Sequence, residues 1–374
     1  MSGDVEAQTT LDVVEVTDAT TGASTATGNA YSVSQDTGNV DVRANQTLQG
    51  NVSADTALNV AVNSGHSTVL TTAATGNTQD ANIHNGVMTG VFNQTTGPVA
   101  ITGHSHTEAP HGETADFSSQ VQAIGNSQGL GASYASVGAR VNQTNEATVT
   151  TDGGGVYGAL YGTGTFSAAT SANNVTSGGL GAAERMIINQ RNNAALTQAA
   201  QFTAFGQAYV AVTSATATGN NVSAGNQGGP VLDVTTDQAN QAYVRAQAES
   251  SAAAFGAGSA IAYGVGNSTI TGNVGEEVVI DNTQLNEGGG VETLASFTGG
   301  DGYDGSASSM AVGNASTGYA CADCSGRMTV SNRQSNTTDI GASATVTMTG
   351  TARSATGVST AIGNTASYYV SRPQ

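Results

Sequence analysis

The chain has 374 residues, of which 50 are Gly, 10% are charged and none is Trp. All nine basic residues are Arg, and against 27 acids they leave a net charge of −18. Such a field repels phosphate backbones and anionic lipid, so no nucleic-acid partner is expected; no apolar run approaches the roughly 20 residues that span a bilayer. Ordinary disordered segments carry more charge than this. The polar, β-branched, small-residue composition is that of stacked β-structure.

The first segment, Met1 to Ala7, has neither a basic nor an apolar stretch of the kind an export signal shows. The extracellular look of the composition favours a removed signal peptide, with Met1 as an added start. Residues 1–29 then read as a partial, capping repeat that ends on Gly28-Asn29. From there a Gly-Asn landmark recurs, with Ala172 in place of Gly once. Its Asn falls at Asn29, Asn77, Asn126, Asn173, Asn220, Asn267, Asn314 and Asn364, in steps of 47 to 50 residues. A second landmark, Asn-Gln, follows 16 residues later at Asn45, Asn93, Asn142 and Asn189 and drifts in the later copies. Residues 30–364 therefore read as about seven repeats, with 365–374 as a C-terminal partial repeat.

Within a repeat the pattern predicts about four short strands. The strand leading into Gly-Asn carries small residues with period 2, as in Ala215, Ala217 and Gly219, Ser309, Ala311 and Gly313, or Ser359, Ala361 and Gly363. That face lets another sheet approach closely. The strand before Asn-Gln is more apolar (Val40-Asp41-Val42, Met88 to Phe92, Met186-Ile187-Ile188, Val278-Val279-Ile280) and supplies candidate core. Gly-rich stretches such as Asp152 to Gly155 and Thr298 to Gly302 read as loops, and the Ala/Gln-rich 238–256 as strand by register. The expected fold is all-β, a β-solenoid or β-helix. At the fixed Asn positions, amides stacked about 4.8 Å apart can donate and accept along a ladder. Asn after Gly is also suited to a left-handed corner.

Three clusters bear on chemistry. Gly103 to Glu113 gathers His104, His106 and His111 with two Glu, a loop insertion whose composition can bind zinc, copper or nickel, although an exposed polar loop is the plainer reading. Cys321 and Cys324 form a C-x-x-C without a surrounding βαβ pattern, which favours a local disulfide in an oxidising compartment. Gly299 to Gly305 resembles a single unit of a calcium-binding Gly/Asp turn, where real sites stack several. Otherwise no cofactor is expected. No H-E-x-x-H occurs and the acids are scattered, so the chain does not read as an enzyme.

Ala217-Thr218-Gly219-Asn220, Ala361-Ile362-Gly363-Asn364 and Asn142-Gln143-Thr144-Asn145 resemble the holdfast anchor protein D family of stalked alphaproteobacteria; the amide ladders are also similar, more weakly, to curlin-type amyloid subunits. The first resemblance implies an extracellular, outer-membrane-associated adhesin that fixes an adhesive polysaccharide to the cell surface. It implies as partners that polysaccharide, other cell-surface anchor proteins and an outer-membrane export lipoprotein. Self-assembly into an amyloid-like fibre is one alternative, and a β-helical glycan-processing enzyme or phage tail fibre is another.

Overall fold

A computed structural model describes residues 2–321 and 326–371, and among these every regular element is a strand. Each sequence period folds as one turn of a coil, because every Gly-Asn Asn lies directly opposite the next one. Asn29 faces Asn77, Asn77 faces Asn126, and the pairing continues through Asn314 and Asn364. Every ladder between turns is parallel. One period therefore makes one layer, about 4.8 Å thick.

A turn has three segments, as in Ala100–Thr114, Asp116–Ser133 and Ser136–Asn145. The third segments, from Gly38–Leu48 to Arg327–Asn336, stack in chain order as a seven-stranded sheet. The first and second segments form a twelve-stranded sheet that bends around the coil. In the middle of the chain these two run together as single long strands: Thr148–Leu180, Leu196–Gln227, Tyr243–Val274 and Val291–Ala320.

This corrects the expectation of four short strands. The Gly-rich stretches read as loops are strand: Asp152 pairs with Ala200 and Gly155 with Thr203, while Ala252 pairs with Gly299 and Phe255 with Gly302. Neighbouring turns offer backbone partners on both sides, and satisfying them outweighs the weak β-propensity of Gly. The His-rich 103–113 stretch is likewise not a loop insertion but part of the strand Ala100–Thr114. The Ala/Gln-rich 238–256 stretch is strand on both sides of a short turn, as its register indicated.

Burial alternates residue by residue along nearly every strand, and the inward residues fill two main compartments. One lies between the first segments and the start of the second. It holds Leu58, Phe117, Tyr157, Phe166 and Phe205, with rings stacked, tilted or edge-to-face at 5.0 to 5.5 Å, and the edge-to-face Phe255–Phe297 pair. Burial pushes the Tyr157 hydroxyl well above its ordinary pKa. The other compartment lies between the end of the second segments and the third, and it contains Val42, Met88, Phe92, Met186, Ile188 and Leu232. The predicted core strands before Asn-Gln thus do face inward.

Between the compartments the coil narrows at the Gly-Asn column. A Cβ on Gly219 would lie 2.4 Å from the Gly266 carbonyl oxygen and 2.5 Å from Asn240 Oδ1. On Gly266 it would meet Asn286 Oδ1 at 2.5 Å and the Gly313 carbonyl oxygen at 2.6 Å. The small-residue face (Ala215, Ala217, Ser309 and Ala311, each at most 1% exposed) admits the same close approach. In the last described turn, which no described strand covers, Ser359 and Ala361 keep the pattern but are exposed.

The expected left-handed corner is elsewhere. No residue of the landmark pairs from Gly28-Asn29 to Gly363-Asn364 has positive φ; the left-handed column is Asn85 (φ 52°), Tyr134 (50°), Gly181 (60°) and Gly228 (68°), at the turn between the second and third segments. Gly at the narrowing serves closeness rather than handedness. Gly266→Val is therefore expected to lower the unfolding free energy by about 2–3 kcal/mol. Gly178→Val, where a Cβ meets nothing within 4 Å, should change it by less than about 0.5 kcal/mol. Urea denaturation of the two variants measures the contrast.

Candidate functional site

The eight Gly-Asn residues form one continuous ladder. Each Nδ2 donates to the Oδ1 of the next turn, from Asn29→Asn77 to Asn314→Asn364, at 2.7 to 2.9 Å. The second hydrogen of each amide crosses the coil to a backbone carbonyl beside the Asn-Gln site, for example Thr95, Thr144 or Leu285, at 2.8 to 3.1 Å. These side chains are buried from Asn77 to Asn314, so both donors and the acceptor are satisfied away from water.

At the second landmark the predicted Asn also stack, but on the outer surface: Asn93→Asn45, Asn142→Asn93 and Asn189→Asn142, at 2.6 to 2.8 Å. The inner ladder belongs to their neighbours. Gln46, Gln94, Gln143, Gln190, Gln238, Gln284 and Gln334 join amide to amide at 2.7 to 3.2 Å, each later residue donating to the earlier one. Each Gln also donates to the carbonyl of the residue after a Gly-Asn, such as Thr78, Ser127 or Ala315. A third buried ladder joins Asn145, Asn192, Asn240, Asn286 and Asn336 at 2.7 to 3.0 Å. Asn and Gln thus clasp the narrowing from both sides. Period-2 reading of Asn-Gln-x-Asn would have found this, since only the second and fourth positions share the inner face.

The three His do not form one site. His104 and His106 share the outer face of their strand, with ring centroids 6.3 Å apart, and His104 Nδ1 lies 2.9 Å from Asp55 Oδ1. His106 pairs with Glu108 at 3.5 Å, while His111 is exposed farther along. Among the described residues no three His, Cys, Asp or Glu side chains are gathered as a metal site. Asp301 and Asp304, from the Gly/Asp stretch, bond instead to the Thr351 N–H and to Arg353. Cys321 is buried; Cys324, and with it the expected disulfide, lies outside the described residues.

A groove of about 370 Å³ crosses the turns beside His104 and His106. Along it His106, Gly154, Phe202, Glu249 and Ser296 stand in register on successive strands, with Asp152 beside them. A row of imidazole, carboxylate, hydroxyl and one half-exposed phenyl ring suits hydroxyl-rich ligands better than apolar ones.

One buried group interrupts the core. In the column Val40, Met88, Val137, Glu184, Leu232, Val278 and Met328 a carboxyl replaces an apolar side chain. Glu184 is 1% exposed and lies in space left by Gly179, where a Cβ would be 2.2 Å from its Oε1. Desolvation raises its pKa to about 7, against a lowering by the bond from Ser177. No signal in the repeat pattern marks this acid.

Two outcomes follow for stability. Asn220→Ala leaves Asn173 without its acceptor and Asn267 without its donor in a dry site, and should cost about 2–4 kcal/mol. Asn45→Ala, at the exposed end of the outer ladder, should cost under about 0.5 kcal/mol, both read by chemical denaturation. Folded Glu184 holds its proton up to about pH 7, whereas the unfolded carboxyl loses it near the ordinary value of 4.5. Its contribution to stability is therefore complete below pH 4.5 and lost as the pH rises through 7. Unfolding titrations from pH 5 to 8 should show that decline in the parent chain and lose it in Glu184→Gln.

No curated protein and no solved structure matches the chain. The model of the family described as holdfast attachment protein D matches residues 14–290, a span that includes the ladders from Asn29 to Asn267, the groove at His104 to Glu249, and Glu184. The chain belongs to the holdfast attachment protein D family.

Proposed function

We propose that this protein is a non-catalytic anchor, a stiff β-solenoid of about seven repeats that fixes an adhesive polysaccharide to the bacterial cell surface. The family match carries the reading. The fold supports it: each turn is bonded to the next through backbone and through amide side chains, so force on one turn is shared along the rod. The acidic surface, with a net charge of −18, favours a neutral or partly cationic glycan by many weak, salt-screened contacts. Other surface anchor proteins and an outer-membrane export lipoprotein are its proposed neighbours.

A fibre subunit is the second reading, favoured by the stacked amides, which are those of cross-β assemblies. Growth of sedimentable filaments from purified chain would select it.

Deletion of the gene tests the anchor. Cells without it are expected to make the polysaccharide but release it into the medium, and the gene should restore retention. Polysaccharide that stays on deleted cells, or is no longer made, would count against anchoring.

A further inference from the structure

Where the first segment of each turn bends into the second, one outward column stands apart from the rest of the surface. It holds Tyr161, Tyr209, Gly256, Tyr303 and Arg353 on successive turns, at positions that regular pairing skips between Ala208↔Phe255 and Val210↔Ala257, and between Phe255↔Gly302 and Ala257↔Asp304. The three Tyr are 54%, 65% and 62% exposed, in a chain with no Trp and 5% aromatics. They contribute little to the core, unlike buried Tyr157 in the same strand as Tyr161.

Gly256 opens a slot between two of the rings. It carries no side chain, so Tyr209 and Tyr303 stand two layers apart, about 9.6 Å along the stack. The Arg353 guanidinium, from the following turn, lies 5.6 Å from the Tyr303 ring centroid. The Gly256 turn lies on the other side of Tyr303. Two depressions meet at the slot, of about 260 and 500 Å³, both lined by Tyr209, Gly256 and Tyr303. Their rims supply polar groups: Gln207 and Asp301 on one side, Asp304 paired with Arg353 on the other. Asp301 Oδ1 accepts the Thr351 N–H at 2.8 Å, which fixes the carboxylate.

We infer that this cleft is a saccharide-binding site for one pyranose unit of a neutral or amino-bearing glycan chain, a site that rests on the anchoring function proposed above. Phenol rings offer flat, apolar faces with a polar tip, and a pyranose with equatorial substituents presents a C–H face to such a ring while its hydroxyls point outward to the rim. Carboxylates at both rims accept from hydroxyl or ammonium groups. The one cation at the rim is already engaged by Asp304, and the chain's charge of −18 disfavours a polyanion. Glycan chemistry fits this cleft better than the His106–Phe202 groove, which has a single half-exposed ring.

The test uses the full chain and three soluble probes: the β-1,4-linked hexamers of glucose and of glucosamine, and oligogalacturonate as the polyanion. Calorimetry and tyrosine fluorescence should show binding of a hexamer and none of oligogalacturonate. Tyr209→Ala/Tyr303→Ala, whose side chains lie outside the core, should keep the parent's circular dichroism and weaken binding by about tenfold or more. Tyr369→Ala, which removes a 60% exposed Tyr elsewhere, should leave it unchanged. If the parent binds a hexamer and the double variant binds equally well, the cleft is refuted while the anchoring function stands. If the parent binds neither hexamer, the saccharide site is overturned while the anchoring function, tested by gene deletion, stands. Oligogalacturonate bound as tightly as the hexamers would overturn the charge selection.

Discussion

The fold depends on amide side chains that are buried yet fully bonded. At the narrowing between the two apolar compartments, Asn220 bonds to the turn before, the turn after and the opposite wall, and Gln190 does the same from the facing strand. An unpaired amide here would carry a desolvation cost of about 1–3 kcal/mol. The identical residue in each neighbouring turn removes that cost, so the ladder is favourable only when continuous. That condition fixes the register: a slip of one residue would turn Gln outward and break every bond along the column.

Register in turn governs what the rest of the coil can be. Gly must stand beside the Asn because the next turn's carbonyl and the third ladder's Oδ1 occupy the space of a Cβ. Ala172 shows the limit of tolerance, with one methyl accepted at full burial. The apolar columns then need only alternate, and they do so with varied residues from Val40 to Met328. Glu184 is the exception, and its ionisation makes the chain less stable on the alkaline side of neutrality.

Much of this was legible in the sequence. The spacing of Asn29 to Asn364 marks the repeat but leaves open whether a repeat makes one layer or two; the pairing of each of those residues with its counterpart in the next turn settles it as one. The small-residue faces at Ala215 and Ser309 signal close approach in the sequence, and both residues are buried at the narrowing. Elements were harder to see. His104 and Gly153 have loop-like neighbours but sit in strands, because a parallel stack imposes its conformation through backbone partners rather than side-chain preference. The inner Gln ladder was half seen, with the outer Asn of each Asn-Gln taken for its partner. Tyr209, Gly256 and Tyr303 are separated by about a full turn each in sequence, and only the stacking shows that they share a corner.

The direction of the ladders has an electrical consequence. Along the Gly-Asn column every amide donates toward the C-terminal end of the rod, from Asn29 to Asn364. Along the Gln column every amide donates toward the N-terminal end, from Gln334 to Gln46. Two aligned rows of dipoles therefore lie side by side with opposite sense, which is the attractive arrangement. Each row polarises its own members, while their fields oppose one another at both ends. The Asn145 to Asn336 ladder runs with the Gly-Asn column, so over those turns the cancellation is partial, and duplicating a turn there adds one more aligned step of charge separation, as lengthening a helix does.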